Sequence, residues 1–356
     1  MSRKLLAFCV AALTFFCTTA FGVAEGELWR GLYAESRESG ANEYLCTFYL
    51  LEVRTGEGEA FASLPNFHVW SGAADETWDA VLVAGFDLKA DERFVCYRLA
   101  GLGSTPLAEE PEVILEFNGP PQPHGDVMFD AGEGAFYVGA EAVATRDDGE
   151  KYRETVLYRY EPATGAPAEL ARLGRHVFLA GEADDDRIYV VYDGKTSYGR
   201  RRLYGYVDKK TFDVVPLGIF PDHFGREPKQ YVPYGGPEGA GQHLPGAPAA
   251  LAGPRAYASD TAKAETADER AIYLRDAASP GGYREVKVDG TPGRILYSPS
   301  CDAFVYLIYP SKDEDPVSIA ITYPDGTSAE PVPVSIREEE TVEAYPTYDY
   351  VLLYVE

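Results

Sequence analysis

The chain has 356 residues, 46% of them hydrophobic, enough for one large or two ordinary domains and far too many for a disordered chain. Lys and Arg number 32 against 57 Asp and Glu, a net charge of −25, and such a surface repels phosphate backbones and anionic lipid. Nucleic acid is therefore excluded as a partner, and 26 Tyr, 35 Gly and 25 Pro favour short strands and tight turns over long helices.

Residues 1–24 read as a signal peptide. Arg3 and Lys4 give a positive start, Leu5 to Ala24 carry no charge, and Gly22-Val23-Ala24 supplies small residues for cleavage. The rival reading is an uncleaved anchor, since twenty apolar residues just cross a bilayer. Glu25 and Glu27 after the small residues favour cleavage. The expected mature protein is an exported, periplasmic or extracellular single domain over 25–356, with no membrane span and a net charge of −27 once Arg3 and Lys4 are gone. Cys46, Cys96 and Cys301 remain; the first two lie in apolar alternating runs and read as buried thiols, with a Cys46–Cys96 bridge as the alternative.

One unit then recurs: a β-branched and aromatic strand, a turn of Gly, Asp or Pro, and a second short strand. It spans Tyr44–Leu64, Arg93–Phe117, Thr155–Gly174, Arg201–Leu217, Arg270–Asp289 and Val317–Ile336. Between these lie more apolar hairpins, at Phe67–Phe86, Val127–Ala144, His176–Tyr192 and Arg294–Tyr309. An apolar inner hairpin followed by an alternating outer one makes a four-stranded sheet, and such sheets repeated around a ring make a β-propeller. The first outer hairpin has no inner partner before it, and Val342–Glu356 is an inner hairpin with nothing after it. The spacing therefore predicts an all-β, six-bladed β-propeller closed by pairing the C-terminal hairpin with the N-terminal strands. ELWRGLYA at 27–34 stays unplaced, which leaves seven blades as the alternative.

The strand–Ser-Pro-x-x-Asp–strand unit RILYSPSCDAFVYLIY at 294–309 resembles the repeat of TolB-type propellers, related to WD-repeat proteins. RYEPATGAP at 159–167 is similar to the outer turn of many bacterial six-bladed propellers. The resemblance implies the propeller fold and, depending on the member, periplasmic scaffolding, ligand binding or hydrolysis. Ala303 stands where the family motif carries Gly after the turn Asp.

The sequence holds no G-x-S-x-G elbow, H-E-x-x-H, P-loop or Asp-x-Asp-x-Asp-Gly calcium loop. Chemistry then falls to the histidines. His124, His223 and His243 lie in connections between blades; His68 and His176 lie near the start of innermost strands, where both read as core packing. In a propeller these segments converge on one face around the channel, where imidazole can ligate metal or move protons. His223 and His243 belong to a Gly- and Pro-rich insertion at about 221–254 without obvious secondary structure, so His223, Gln242 and His243 are the metal candidates. Arg200 and Arg201, in the only dense basic run, suit an acidic ligand; Tyr231 and Tyr234 of the insertion suit sugar stacking or peptide anchoring. The expectation is a monomeric, non-catalytic propeller without cofactor, binding a protein, peptide or glycan on its channel face through His68, His124, His223, His243, Arg200, Arg201, Tyr231 and Tyr234. The alternative is a propeller hydrolase or lyase acting on an acidic carbohydrate with one divalent metal.

Overall fold

The near-continuous apolar runs of the inner hairpins become strands with a neighbour on each face. In the computed structural model, which describes residues 29–40, 43–99, 111–196, 199–219, 230–231, 256–260, 270–276, 278–279, 282–288, 290, 292–309, 316–336 and 347–356, the chain is all-β. Blade I begins with β1 (Arg30–Gly40), β2 (Glu43–Glu52) and β3 (Glu57–Pro65). Blade II follows as β4 (Phe67–Ala74), β5 (Val81–Asp87), β6 (Ala90–Leu99) and β7 (Glu112–Asn118). Blade III is β8 (Gly125–Asp130), β9 (Ala135–Thr145), β10 (Lys151–Tyr160) and β11 (Pro167–Gly174). Blade IV is β12 (Val177–Ala183), β13 (Arg187–Thr196), β14 (Gly199–Asp208) and β15 (Val214–Ile219). Blade V is β16 (Gln230–Tyr231), β17 (Ala256–Asp260), β18 (Arg270–Arg275) and β19 (Tyr283–Lys287). Blade VI is β20 (Pro292–Ser298), β21 (Ala303–Ile308), β22 (Ser318–Thr322) and β23 (Val332–Pro333). The chain then crosses back to blade I, adding β24 (Ser335–Ile336) parallel to β3 on the outside and β25 (Thr347–Val355) antiparallel to β1 on the inside.

First strands of neighbouring blades pack on one another, β25 on β4, β4 on β8, β8 on β12 and β20 on β25, so these are the strands around the central channel. Six buried apolar clusters fill the six gaps between blades, which fixes the blade number independently of strand order. Leu32, Phe48, Val81 and Leu353 fill gap I–II; Leu82, Phe94, Phe136 and Val138 fill II–III; Tyr137, Leu157, Ile188 and Val190 fill III–IV. Stacked tyrosines dominate IV–V, where Tyr189–Tyr204 and Tyr257–Tyr273 centroids lie 5.9 and 5.1 Å apart. Ile272, Ile295 and Phe304 fill V–VI, and Tyr33, Leu51, Val305 and Leu352 fill VI–I. Cys46 and Cys96 are buried in two different gaps and are not bridged to each other.

Three sequence expectations are corrected. The C-terminal segment is one innermost strand where it is described, not a hairpin, because β1, formed by the previously unplaced residues, supplies the second strand of blade I. That placement also removes the seven-blade alternative. The insertion at about 221–254 contains structure after all: Gln230–Tyr231 is the innermost strand of blade V.

The closing strand is held at its end as well as along its length. The Trp78 indole N–H donates to Glu356 Oε2 at 3.0 Å, the Ser300 hydroxyl donates to the Glu356 carbonyl at 2.8 Å, and Glu356 N–H donates to the Arg30 carbonyl at 3.0 Å. Deleting Tyr348–Glu356 removes these bonds together with Leu352 and Leu353, each buried and each worth about 2–5 kcal/mol on truncation. The deletion is expected to abolish the single cooperative calorimetric transition, and a wild-type transition would mean that β25 does not close the ring.

Candidate functional site

β4, β8 and β12 run in equivalent directions, so their first residues meet on one face of the ring. His68 is the second residue of β4, and His124 and His176 immediately precede β8 and β12. Three consecutive blades thus each bring an imidazole to the same level of the channel mouth. His176 is left-handed at φ 52°, a conformation that ends the β11–β12 connection and starts the new strand.

Aromatic rings join the imidazoles into an arc. His68 meets Trp70 edge-on at 4.7 Å, Trp70 meets His124 at 5.3 Å, His124 meets Phe178 edge-on at 5.0 Å, and Phe178 stacks with His176 at 6.5 Å. All five side chains are half-buried. The arc is pinned across blades II and III by the Trp70 indole N–H, which donates to the Pro123 carbonyl at 3.0 Å. Trp70 is also the extra residue of a β-bulge. Val69 pairs with Gly85 and Ser71 with Ala84, which leaves Trp70 without a ladder partner. Bulges re-aim a side chain that regular pleating would send into an inter-blade gap.

Beneath the arc lie two carboxylates. Glu141 is buried on β9; its Oε1 is 3.4 Å from His176 Nδ1, and its Oε2 accepts from the His124 backbone N–H at 3.2 Å and from Arg153 at 3.0 Å. One side chain therefore positions the entry to blade III and the histidine of blade IV. Asp126 on β8 is 16% exposed, accepts the Leu179 N–H of blade IV at 3.1 Å, and lies 3.7 Å from His124 Nδ1. Burial raises the Asp126 carboxyl above the ordinary range, while His124 and Arg294 pull it down. Arg294, on β20 of blade VI, is pushed down by burial and pulled up by Asp126.

Of the residues singled out from sequence, His68 and His124 come together here, with Trp70 between them. His176, read as core, is a half-exposed member of the same arc. Arg200 and Arg201 lie on β14, the third strand of blade IV, opposite Lys195 and Gly194, two strands out from the channel; their side chains are outside the described residues. Tyr231 lies on innermost β16 opposite Tyr257, its side chain likewise outside. His223, Tyr234, Gln242 and His243 lie outside the described residues. Among the described residues no three His, Cys, Asp or Glu side chains converge as metal ligands. Trp70, Asp126, Glu141, Phe178 and Arg294 escaped sequence reasoning. Aligning the blades would have exposed the histidine that recurs at the innermost strand starts of blades II, III and IV; a bulge leaves no sequence mark.

Fold and site together define a six-bladed β-propeller with an imidazole–aromatic channel mouth. No protein-family model and no curated protein matches the chain. Among solved structures, it resembles hydrazine synthase of Kuenenia stuttgartiensis at a TM-score of 0.52 and 11% identity, over 92% of this chain and 47% of that one. TolB from Acinetobacter baumannii matches at 0.48 and 13% identity, over 84% of this chain and 62% of TolB. The β-propeller domain of the Trilobed protease from Pyrococcus furiosus matches at 0.46 and 11%, over 86% and 85%. Likeness at such identities concerns fold alone.

Two variants test the site. A methyl at Gly85 would sit 1.9 Å from the His68 carbonyl oxygen, because the bulge brings the two backbones together. Gly85→Ala is expected to cost about 1–3 kcal/mol and to shift tryptophan emission as Trp70 moves; an unchanged melt and spectrum would mean that the bulge tolerates the methyl. The folded-state carboxyl of Asp126 lies above its unfolded value, so its contribution favours the fold at acid pH and fades as pH rises through the ordinary carboxylate range into the raised one. Asp126→Asn retains an oxygen for the Leu179 N–H. Its melting temperature relative to wild type is expected to rise between about pH 3 and pH 7, and a pH-independent difference would contradict the raised carboxyl.

Proposed function

We propose that this chain is an exported, monomeric propeller that binds a protein, peptide or glycan ligand over the channel mouth on blades II to IV and does no chemistry on it. The reading is carried by the arc His68–Trp70–His124–Phe178–His176. Five half-buried rings from three blades, held by the Trp70–Pro123 hydrogen bond and the Glu141 contacts, form a preorganised apolar platform edged with donors and acceptors. Such a surface suits recognition, because aromatic side chains give large contact area at little entropic cost. The acidic surface keeps the protein soluble and discourages anionic polymers. Signal cleavage after residue 24 and absence of a cofactor belong to the same proposal.

Peptide and glycan arrays probed with the mature protein test it. Trp70→Ala and His124→Ala are each expected to weaken every genuine hit by about tenfold or more, with thermal unfolding checked in parallel. Hits that bind both variants unchanged would place recognition elsewhere on the ring. Metal content measured without a histidine tag, with melting in chelator, separates the catalytic alternative. The expected result is an unaltered melt, whereas stoichiometric metal whose removal lowers it would favour a hydrolase or lyase using the insertion histidines.

A further inference from the structure

Among the described residues, the six innermost strands carry a single Lys or Arg, Arg294 on β20. It too occupies a β-bulge: Pro292 pairs with Ile308 and Ile295 with Tyr306, so Gly293 and Arg294 together face Leu307. The neighbours Ile295 and Leu296 are buried in gaps V–VI and VI–I, while Arg294 is exposed. The bulge has turned it out of both cores. It is thus a solvent-reached side chain on a strand that lines the channel, and burial lowers its guanidinium. A guanidinium stays charged regardless. No hydrogen bond or ion pair to it forms among the described residues; its one resolved charge interaction is with Asp126, on the innermost strand of blade III, directly opposite blade VI in a six-membered ring.

We infer that Arg294 is an anion receptor and that the ligand of the mouth is a small organic carboxylate, an inference that rests on the mouth being the binding site. The carboxylate engages the guanidinium fork, a bidentate pairing that a free arginine is built to make. The ligand's apolar or ring face lies toward Trp70 and His124, and its donors meet the His124–Asp126 side. The two bulges, Trp70 and Arg294, thus supply the apolar and the charged contact from blades II and VI. In a mature protein of net charge −27, the one cation on the described innermost strands selects anions small enough to enter, since larger polyanions meet the acidic exterior first. Amino-acid and sugar carboxylates share this chemistry.

Ligand-observed NMR titration of the mature protein with two matched pairs tests the inference: N-acetylphenylalanine against its primary amide, and glucuronate against glucose. The expected result is that at least one acid binds about tenfold more tightly than its neutral twin, and the pair that discriminates names the source. Arg294→Gln erases the preference, and Arg294→Lys, with charge but no fork, restores part of it. Equal binding of acids and neutral twins, no binding by any of the four probes, or a preference that survives Arg294→Gln would overturn the inference. Trp70→Ala separates the two levels: if it weakens acids and neutral twins alike while Arg294→Gln changes nothing, the mouth stands as the site and only the carboxylate assignment falls.

Discussion

The ring depends on one packing constraint: its middle strands have two cores. Successive residues of β5 alternate between gaps, Val81 and Val83 filling I–II and Leu82 and Ala84 filling II–III. The closing strand divides in the same way, Leu352 into VI–I and Leu353 into I–II. No blade can bury its apolar faces alone, so the free energy of burial is shared around a closed circuit and vanishes piecemeal if one blade leaves. Outer strands escape the constraint, which is why β7 and β11 alternate or lie open while β5 and β21 are buried almost throughout.

Closed packing leaves little freedom for a site, and the bulges recover some. In a regular innermost strand each side chain is committed to one gap or the other. A bulge inserts a residue that belongs to neither, as at Trp70 and Arg294, without disturbing the pairs on either side. Polar stitches between blades then fix these residues relative to one another. Ser71 accepts the Val127 N–H at 3.1 Å, Thr155 accepts the Val177 N–H at 3.1 Å, and Asp126 accepts the Leu179 N–H at 3.1 Å, so blades II, III and IV hold their mouth residues as one unit. Precision at the mouth therefore comes from the frame and not from loops.

Much of this frame was legible in the sequence because the physics behind it is local. Hairpin turns, the apolar difference between inner and outer hairpins, and the repeat spacing all follow from which residues face a gap and which face water. The composite blade was legible for the same reason, since a ring with open edges would leave unpaired backbone. The C-terminal segment was misread as a hairpin because YPTYDYVLLYV has the strand–turn–strand look of 298–308; only the pairing of β1 shows that the second strand was already filled. The two-residue β16 was too short to carry any periodicity. His68 and His124 were recognised by residue type and place in the repeat. Trp70 and Arg294 were not, because a bulge is a register event between two strands, and register is invisible to a single run of residues.

The join between β1 and β25 has a further property. Gly31 pairs with Val355 and Arg37 with Thr347, so the outer flanks of both strands lie at the same end of the ladder. Tension applied along the chain from those flanks loads the hydrogen bonds one after another, like a zipper, instead of all at once in shear. The seam that closes the ring thus yields one pair at a time under mechanical pull, and a machine that threads the chain from either flank meets its hydrogen bonds in sequence.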